Sequence, residues 1–282
     1  MAAETALDAG ACGWRRENLG DERLSRAEDG SIELDVRSLY YRQMNEALRQ
    51  LYLDKGETAF RLRGVSGQRY LGTSLGYGAD GVSLKVFGTP GNDLGAFMDG
   101  PEIEVFGNAQ DGTGNTMNAG RIVIHGNAGD ITGMSMRGGE IFILGDVGYR
   151  TAIHMKEYGE KRPLLVIGGT AQDFLGEYMA GGTVVLLGLN LAAGKAHRAN
   201  FIGTGMHGGA VFIRGRVESH QLGKEVGVVP RAEFTNEDRQ ALNSAVQAFA
   251  GYFNLPAVEI LAGEFIKLYP KYLRPYGTKY AY

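Results

Sequence analysis

The hydrophobic positions of this chain return on a fixed beat between Gly81 and Gly215. Seven segments align under one another: Ser83–Gly88, Glu102–Gly107, Arg121–Gly126, Glu140–Gly145, Leu164–Gly169, Thr183–Gly188 and Ala210–Gly215. The first four begin at evenly spaced positions, 83, 102, 121 and 140, and the step from 164 to 183 is the same. The steps to 164 and to 210 are longer and mark insertions. A short fixed period, here about 19 residues, is the signature of a solenoid. The second residue of each segment is Leu84, Ile103, Ile122, Ile141, Leu165, Val184 or Val211, and the fourth is Val86, Val105, Ile124, Ile143, Ile167, Leu186 or Ile213. Branched aliphatics alternating with period two predict a strand with one buried face. The sixth residue is always Gly, which suits a corner that needs positive φ or close packing between turns. A methionine column precedes the strands (Met98, Met117, Met136, Met155, Met179, Met206), and glycine pairs such as Gly138-Gly139 and Gly181-Gly182 fill the gap. A turn of this length has room for two or three short strands. Parallel strands about 4.8 Å apart would make seven turns a rod of roughly 30 Å. The expected fold is mainly β: a parallel β-helix of about seven turns with aliphatic and methionine ladders inside.

The pattern divides the chain into four parts. Residues 1–30 are charged without apolar period and read as a tail, with Trp14 packed locally. Residues 31–80 read as an α/β cap over the first coil, because an open sheet edge invites aggregation. Within it, Ser31–Leu34 predicts a strand, Leu39–Leu53 a helix capped by Asp35 or Ser38, Thr58–Arg63 a second strand, and Gln68–Leu71 its return. Residues 81–216 are the solenoid. Residues 217–282 are a C-terminal segment: a connector at Val217–Arg231, a helix capped by Thr235 and running to Tyr252, a second helix over Val258–Leu268, and a docked aromatic tail ending RPYGTKYAY. The third strand column starts with Lys85 and Glu104 but continues Val123, Phe142, Val166, Val185 and Phe212. An apolar outer column needs a cover. The C-terminal region is the first candidate, and a partner subunit the second.

Composition narrows the function classes. Forty-four glycines among 282 residues fit a tightly cornered coil, and only 7 prolines exclude collagen. A net charge of −3 gives no general reason to bind nucleic acid or an anionic membrane. No apolar run is long enough to span a bilayer. The single cysteine, Cys12, fits a reducing compartment, and the opening MAAETALDAGAC lacks the features of a secretory signal, so a cytoplasmic location is expected.

Motifs for chemistry resolve into structure. Gly203–Gly208 matches G-x-G-x-x-G, but a strand follows where a dinucleotide site needs a helix. The five histidines (His125, His154, His197, His207, His220) lack zinc-ligand spacing. Asp99, Asp111, Asp130 and Asp173 sit at glycine-rich corners, where turn chemistry accounts for them. No catalytic, cofactor or metal residues are therefore assigned. The insertions are the informative irregularities, being either binding loops or solvated charged loops. The partner-contact candidates are His154, Lys156, Glu157, Tyr158, Lys161 and Arg162 in the first, and Lys195, His197 and Arg198 in the second. Phe142 and Phe212 of the outer column join them.

The stretches GNDLGAFMDGPEIEVFGNAQDGTGNTMNAG and IHMKEYGEKRPLLVIGGTAQDFLGEYMAGGTVVLLGL, with the final RPYGTKYAY, resemble the GXGXG domain of the glutamate synthase large subunit. That domain also forms a separate subunit in archaeal-type glutamate synthases and in N-methylglutamate synthase, and is related to a subunit of formylmethanofuran dehydrogenase. The resemblance spans about residues 33–282, and HMKEYGEKRP points to the stand-alone glutamate-synthase-type branch. It implies a right-handed parallel β-helix that carries no cofactor itself. It further implies partners: an FMN and iron-sulfur synthase-like subunit and a glutamine amidotransferase-like subunit. A subunit of a formylmethanofuran dehydrogenase or formyltransferase/hydrolase complex is the alternative. A β-helix enzyme such as a polysaccharide lyase or acyltransferase is a third reading, although an acyltransferase turn of three hexapeptides would be shorter than the period of this chain. Residues 1–30 fall outside the resemblance and offer an additional contact.

Overall fold

A computed structural model of the protein describes residues 23–75, 78–192 and 194–272. Trp14, Cys12 and the RPYGTKYAY tail lie outside the described residues. In chain order the elements are β1 (Leu24–Arg26), β2 (Ile32–Asp35), α1 (Tyr41–Lys55), β3 (Ala59–Ser66), β4 (Ser83–Thr89), β5 (Asp99–Phe106), β6 (Ala119–Ile124), β7 (Glu140–Ile143), β8 (Leu164–Ile167), β9 (Ala180–Leu186), β10 (Gly208–Arg214), β11 (Val226–Pro230), α2 (Asn236–Phe253), α3 (Ala257–Leu261) and β12 (Phe265–Pro270). The protein is a parallel β-solenoid. Strands β4 to β10 are the seven segments of the repeat, and they pair in register, so that Leu84, Ile103, Ile122, Ile141, Leu165, Val184 and Val211 form one continuous ladder. Both aliphatic columns and all six methionines are buried in one core. Each fully buried aliphatic side chain contributes about 1.5–3 kcal/mol relative to exposure.

The ladder starts earlier than the glycine count suggests. β2 and β3 also run parallel in the same sheet, with Ile32 opposite Phe60 and Phe60 opposite Leu84. Residues 31–80 therefore form the expected α/β cap from one helix and two further rungs of the same sheet. The signal is present in Ala59–Gly64, which keeps the second, fourth and sixth columns as Phe60, Leu62 and Gly64. Ala59 precedes Ser83 by the same step that separates Glu140 from Leu164. The helix α1 seals the opening of the core with Met44, Ala47, Leu48 and Leu51. Neither Asp35 nor Ser38 caps it. Tyr40 holds the N-cap position, and its N–H donates to Gln43 Oε1 at 3.0 Å. Gln68 does not begin a return strand but is buried, where its amide donates to the Val36 carbonyl at 3.1 Å. At the N-terminal margin, β1 adds antiparallel to β2, so the expected tail is ordered from Leu24.

Each turn contributes one strand to the sheet and not two or three. The rest of the turn is an arm in which every second residue is left-handed. Asp93, Gly95 and Phe97 have positive φ, and so do Gly112, Gly114 and Thr116, and the same three columns repeat through Phe201, Gly203 and Gly205. The amides of the left-handed residues bond alternately up and down the rod, while those between them bond within the arm, as Ala96 N–H does to Asp93 O at 3.2 Å. Phe97 N–H donates to Asn115 O of the next turn at 2.8 Å, whereas Gly95 N–H donates to Leu71 O of the preceding turn at 2.8 Å. The arm is thereby bonded both up and down the rod without being a strand. Buried backbone groups need such partners. Asx side chains add a second set of ties between turns. Asn108 Oδ1 accepts from Asn127 N at 2.8 Å, Asn127 Oδ1 from Asp146 N at 2.8 Å, Asp111 Oδ1 from Asp130 N at 2.9 Å and Asp130 Oδ1 from Tyr149 N at 2.9 Å.

The outer apolar column is covered by the chain itself. Leu242, Val246 and Phe249 of α2 close over Val123, Phe142, Val166, Val185 and Phe212 in a second core. The expected cap is present, with Thr235 Oγ accepting from Asp238 N at 3.1 Å. The second predicted helix is corrected. Only Ala257–Leu261 is helical, and Phe265–Pro270 is strand β12, antiparallel to β10. β11 then pairs with β12, in the region expected to be a plain connector. An open parallel edge at β10 would expose a row of unpaired backbone groups, and the strand meets that demand where a longer helix would not.

These packings give two expectations for urea unfolding. Ile141→Ala removes a fully buried rung and should cost about 2–5 kcal/mol. Gly114→Ala and Gly30→Ala both place a side chain at positive φ, but only Gly114 also faces the Ile141 side chain. Gly114→Ala should lower stability by roughly 2 kcal/mol more than Gly30→Ala. Equal losses would mean that the turns are not closely packed there.

Candidate subunit interface

The two insertions do not come together. The first lies between Met155 and the start of β8, and the second follows the end of β9, so they occupy opposite ends of the strands. The first is folded down onto the rod. Its Tyr158 and Lys161 pair as a tight antiparallel bridge. Glu157 Oε1 accepts from Gly182 N at 3.1 Å, and Glu157 also pairs with Arg162 at 3.2 Å. Lys161 Nζ reaches Asp99 of an earlier turn at 3.3 Å. Gly138 and Gly181 make room for it, since a Cβ at either would press on Lys161 or Glu157. The surface ion pairs are worth about 0–1 kcal/mol each. The glycine fit and the backbone bond set the position of the hairpin more firmly. Tyr158, Glu160, Lys161 and Arg162 face outward, with Lys156 half-buried at the base.

The second insertion is partly internal. Lys195 and Arg198 are exposed, but His197 is 2% exposed. Its Nε2 donates to the Arg214 carbonyl at 2.8 Å, and Gln221 Nε2 donates to the His197 and Ala199 carbonyls at 2.7 and 2.9 Å. His197 is therefore a closing residue of the coil, and its assignment as a partner contact is corrected. Phe142 and Phe212 are corrected for the same reason, being 0% and 1% exposed beneath α2. Asn190 of this insertion donates to Asp146 Oδ1 at 2.9 Å. Burial raises the Asp146 pKa, but the hydrogen bonds from Thr170 and Asn190 outweigh it and hold the carboxyl below its ordinary value.

Two exposed columns escaped sequence reasoning. They are the outer left-handed positions of the arms, and in the later turns they carry Arg150, Phe174 and Phe201, and His154 and Tyr178. Phe174 stacks on Phe201 with centroids 4.9 Å apart, and His154 on Tyr178 at 5.5 Å. Of the sequence candidates only His154 belongs to this wall. Extending the column comparison from the strands back into the arms, on either side of the residues equivalent to Ala152, would have found the others.

Among the described residues no group of three or more His, Cys, Asp or Glu is placed to hold a metal ion, and no helix is long and apolar enough to cross a membrane. His125 Nε2 lies 2.9 Å from Glu104 Oε1, its ring stacked on Phe106. For His197, burial depresses the pKa below its usual 6.5, against the opposing pull of the Arg214 carbonyl. The unfolded chain then binds the proton more readily than the folded one. Stability is full above the unfolded value of 6.5 and falls as the pH drops below it. The limiting slope is about 1.4 kcal/mol per pH unit. His197→Gln keeps a donor for Arg214 and should remove this component from a denaturation series between neutral and acidic pH. An unchanged acid slope would refute the assignment.

A family model for the GXGXG motif matches residues 52–276. The chain is also 42% identical over 261 residues to an uncharacterized protein of Methanocaldococcus jannaschii, an alignment covering 88% of this chain and 96% of that protein. The matched region takes in the tail of α1, the coil with its alternating left-handed arms, and the strands that close it. The chain belongs to the GXGXG motif family, consistent with a GXGXG domain of glutamate synthase type.

Proposed function

We propose that this chain is a non-catalytic structural subunit of a multi-subunit glutamate-synthase-type oxidoreductase in the cytoplasm. In this reading it holds an FMN and iron-sulfur synthase-like subunit and a glutamine amidotransferase-like subunit in fixed relation. FMN and the clusters belong to the partners. Family membership supports the class of assembly. The observation that carries the structural role is the first insertion: a charged hairpin seated on Gly138 and Gly181, tied through Glu157 to Gly182 and through Lys161 to Asp99. A loop held at two places on a rigid rod presents Tyr158, Lys161 and Arg162 in a set orientation, and so loses little entropy on binding. The corner carboxylates support the same role, since Asp111 and Asp130 are engaged in joining turns.

The test is purification of the native protein from its source, with mass identification of every co-purifying chain and assay of flavin and iron. A flavoprotein and an amidotransferase-like chain in fixed ratio are expected. Recovery of the chain alone, or with formyl-transferring subunits, would overturn the reading. Tyr158→Ala, which removes an outward-facing ring and leaves the Lys161–Asp99 and Glu157–Arg162 pairs in place, should weaken association by roughly tenfold or more while leaving the melting of the isolated chain nearly unchanged.

A further inference from the structure

Cations on the coil are placed against carboxylates of neighbouring turns. Arg121 sits between Glu102 and Glu140, at 2.9 and 3.0 Å. Arg61 and Arg63 share Glu33 at 3.5 and 2.9 Å, and Arg150 meets Glu177 at 3.2 Å. Lys85 adjoins Arg61, but it is exposed and has Glu104 in the next turn. The column that follows the methionine ladder departs from this arrangement. It begins Asp99, Asn118, Arg137, Lys156. Its backbone is in step: Asn118 N donates to Met98 O at 2.8 Å, Arg137 N to Met117 O at 2.8 Å and Lys156 N to Met136 O at 3.0 Å. Arg137 and Lys156 therefore occupy adjacent turns, a spacing of about 4.8 Å. Like charges this close repel.

Neither cation is answered by the chain. Among the described residues Arg137 and Lys156 form no ion pair, and the Arg137 Nε–H is buried without an acceptor. Both side chains are half-buried. A charged donor withdrawn from water without a partner is costly. The first insertion adds to the excess. Lys161 lies against Gly138, the chain neighbour of Arg137, and reaches Asp99 at 3.3 Å. Glu157 is engaged by Arg162 at 3.2 Å and by Gly182 N at 3.1 Å. Arg137, Lys156 and Lys161 thus gather at the foot of the hairpin, and Asp99 is the one carboxylate bonded to any of them.

We propose that the foot of this hairpin is an oxyanion site, where Arg137 and Lys156 hold one carboxylate or phosphate group. A guanidinium presents parallel N–H donors that match either group, and an ammonium on the adjoining turn supplies a second point charge. The anion joins two turns as Glu102 and Glu140 join theirs to Arg121. It lies next to Gly138, on which the hairpin is seated. Two sources carry this chemistry: a free anion, or an acidic side chain of another polypeptide. The site is independent of which subunits the chain assembles with, because its cations and their repulsion belong to one molecule.

Calorimetric titration of the purified full-length chain with inorganic phosphate, at constant ionic strength set with sodium chloride, tests the site, with tetraglutamate as a second probe. One saturable site is expected. Arg137→Gln and Lys156→Gln should each weaken it by about tenfold or more. Lys195→Gln, which removes an exposed cation of the second insertion, should leave it unchanged. The tighter probe identifies the source, phosphate for a free anion and tetraglutamate for an acidic polypeptide. No saturable binding of either probe, or equal weakening by Lys195→Gln, would overturn the proposal. A second measurement needs no ligand. In chloride alone Arg137→Gln should melt no lower than the parent chain, since it breaks no pair and relieves a repulsion. A lower melting temperature would mean that the chain itself already satisfies Arg137, and would also overturn the proposal.

Discussion

The backbone groups of an arm have to find hydrogen-bond partners, because the arm encloses the apolar core and makes no strand ladder of its own; alternate amides bond within the arm, as Ala96 does to Asp93, and the rest need the turn above or below. The left-handed residues solve this. The amides of successive left-handed residues go to opposite sides, so Gly95 bonds down to Leu71 and Phe97 bonds up to Asn115. The rule repeats from turn to turn: Gly114 bonds to Leu94 and Thr116 to Met134, and Gly133 bonds to Thr113 and Ser135 to Ile153. The glycines that give the family its motif are therefore half of a backbone device whose other half tolerates ordinary side chains. Because those side chains point away from the core, the device leaves their identity free for other use.

The strands impose the opposite condition. Their backbone groups are satisfied by the in-register ladder, so the side chains decide the outcome, and each strand has two faces to bury or solvate. The inner face is filled by aliphatics from β4 to β10. The outer face changes character along the rod, from Lys85 and Glu104 to Val123 and the apolar residues beyond. The helix α2 ends where that change occurs, with Phe253 against His125 at 5.2 Å. The C-terminal segment thus does two jobs. Its helix removes the apolar outer column from water, and its strands β12 and β11 end the parallel sheet.

The sheet edges and insertions show why a column reading reaches only so far. Strand positions, inner columns and the methionine ladder are legible, because a fixed period puts chemically equal residues above one another regardless of what surrounds them. The hairpin at Tyr158–Lys161 is legible as an insertion but not as a folded-down one; its seat depends on Gly138 and Gly181 in other turns. His197 reads as an exposed residue in a charged loop. It is buried because its ring turns inward to the Arg214 carbonyl, which no local spacing brings near. VEILAGEFIKL reads as one helix, since a short apolar run fits either period. The free edge of β10 selects a strand for its second half.

The sequence by itself determined the repeat, the buried columns, the corners and the family, all of which depend on residues compared at a fixed spacing. The tertiary structure decided the contacts that no spacing encodes. It gave the apolar outer column to α2, the last edge to β12, and the interior to His197, Phe142 and Phe212. It also placed Phe174, Tyr178 and Phe201 on an exposed strip. The physical reason is the same in each case. Burial and hydrogen-bond completion are properties of the whole surface, and a residue's column specifies which way it points but not what comes to meet it.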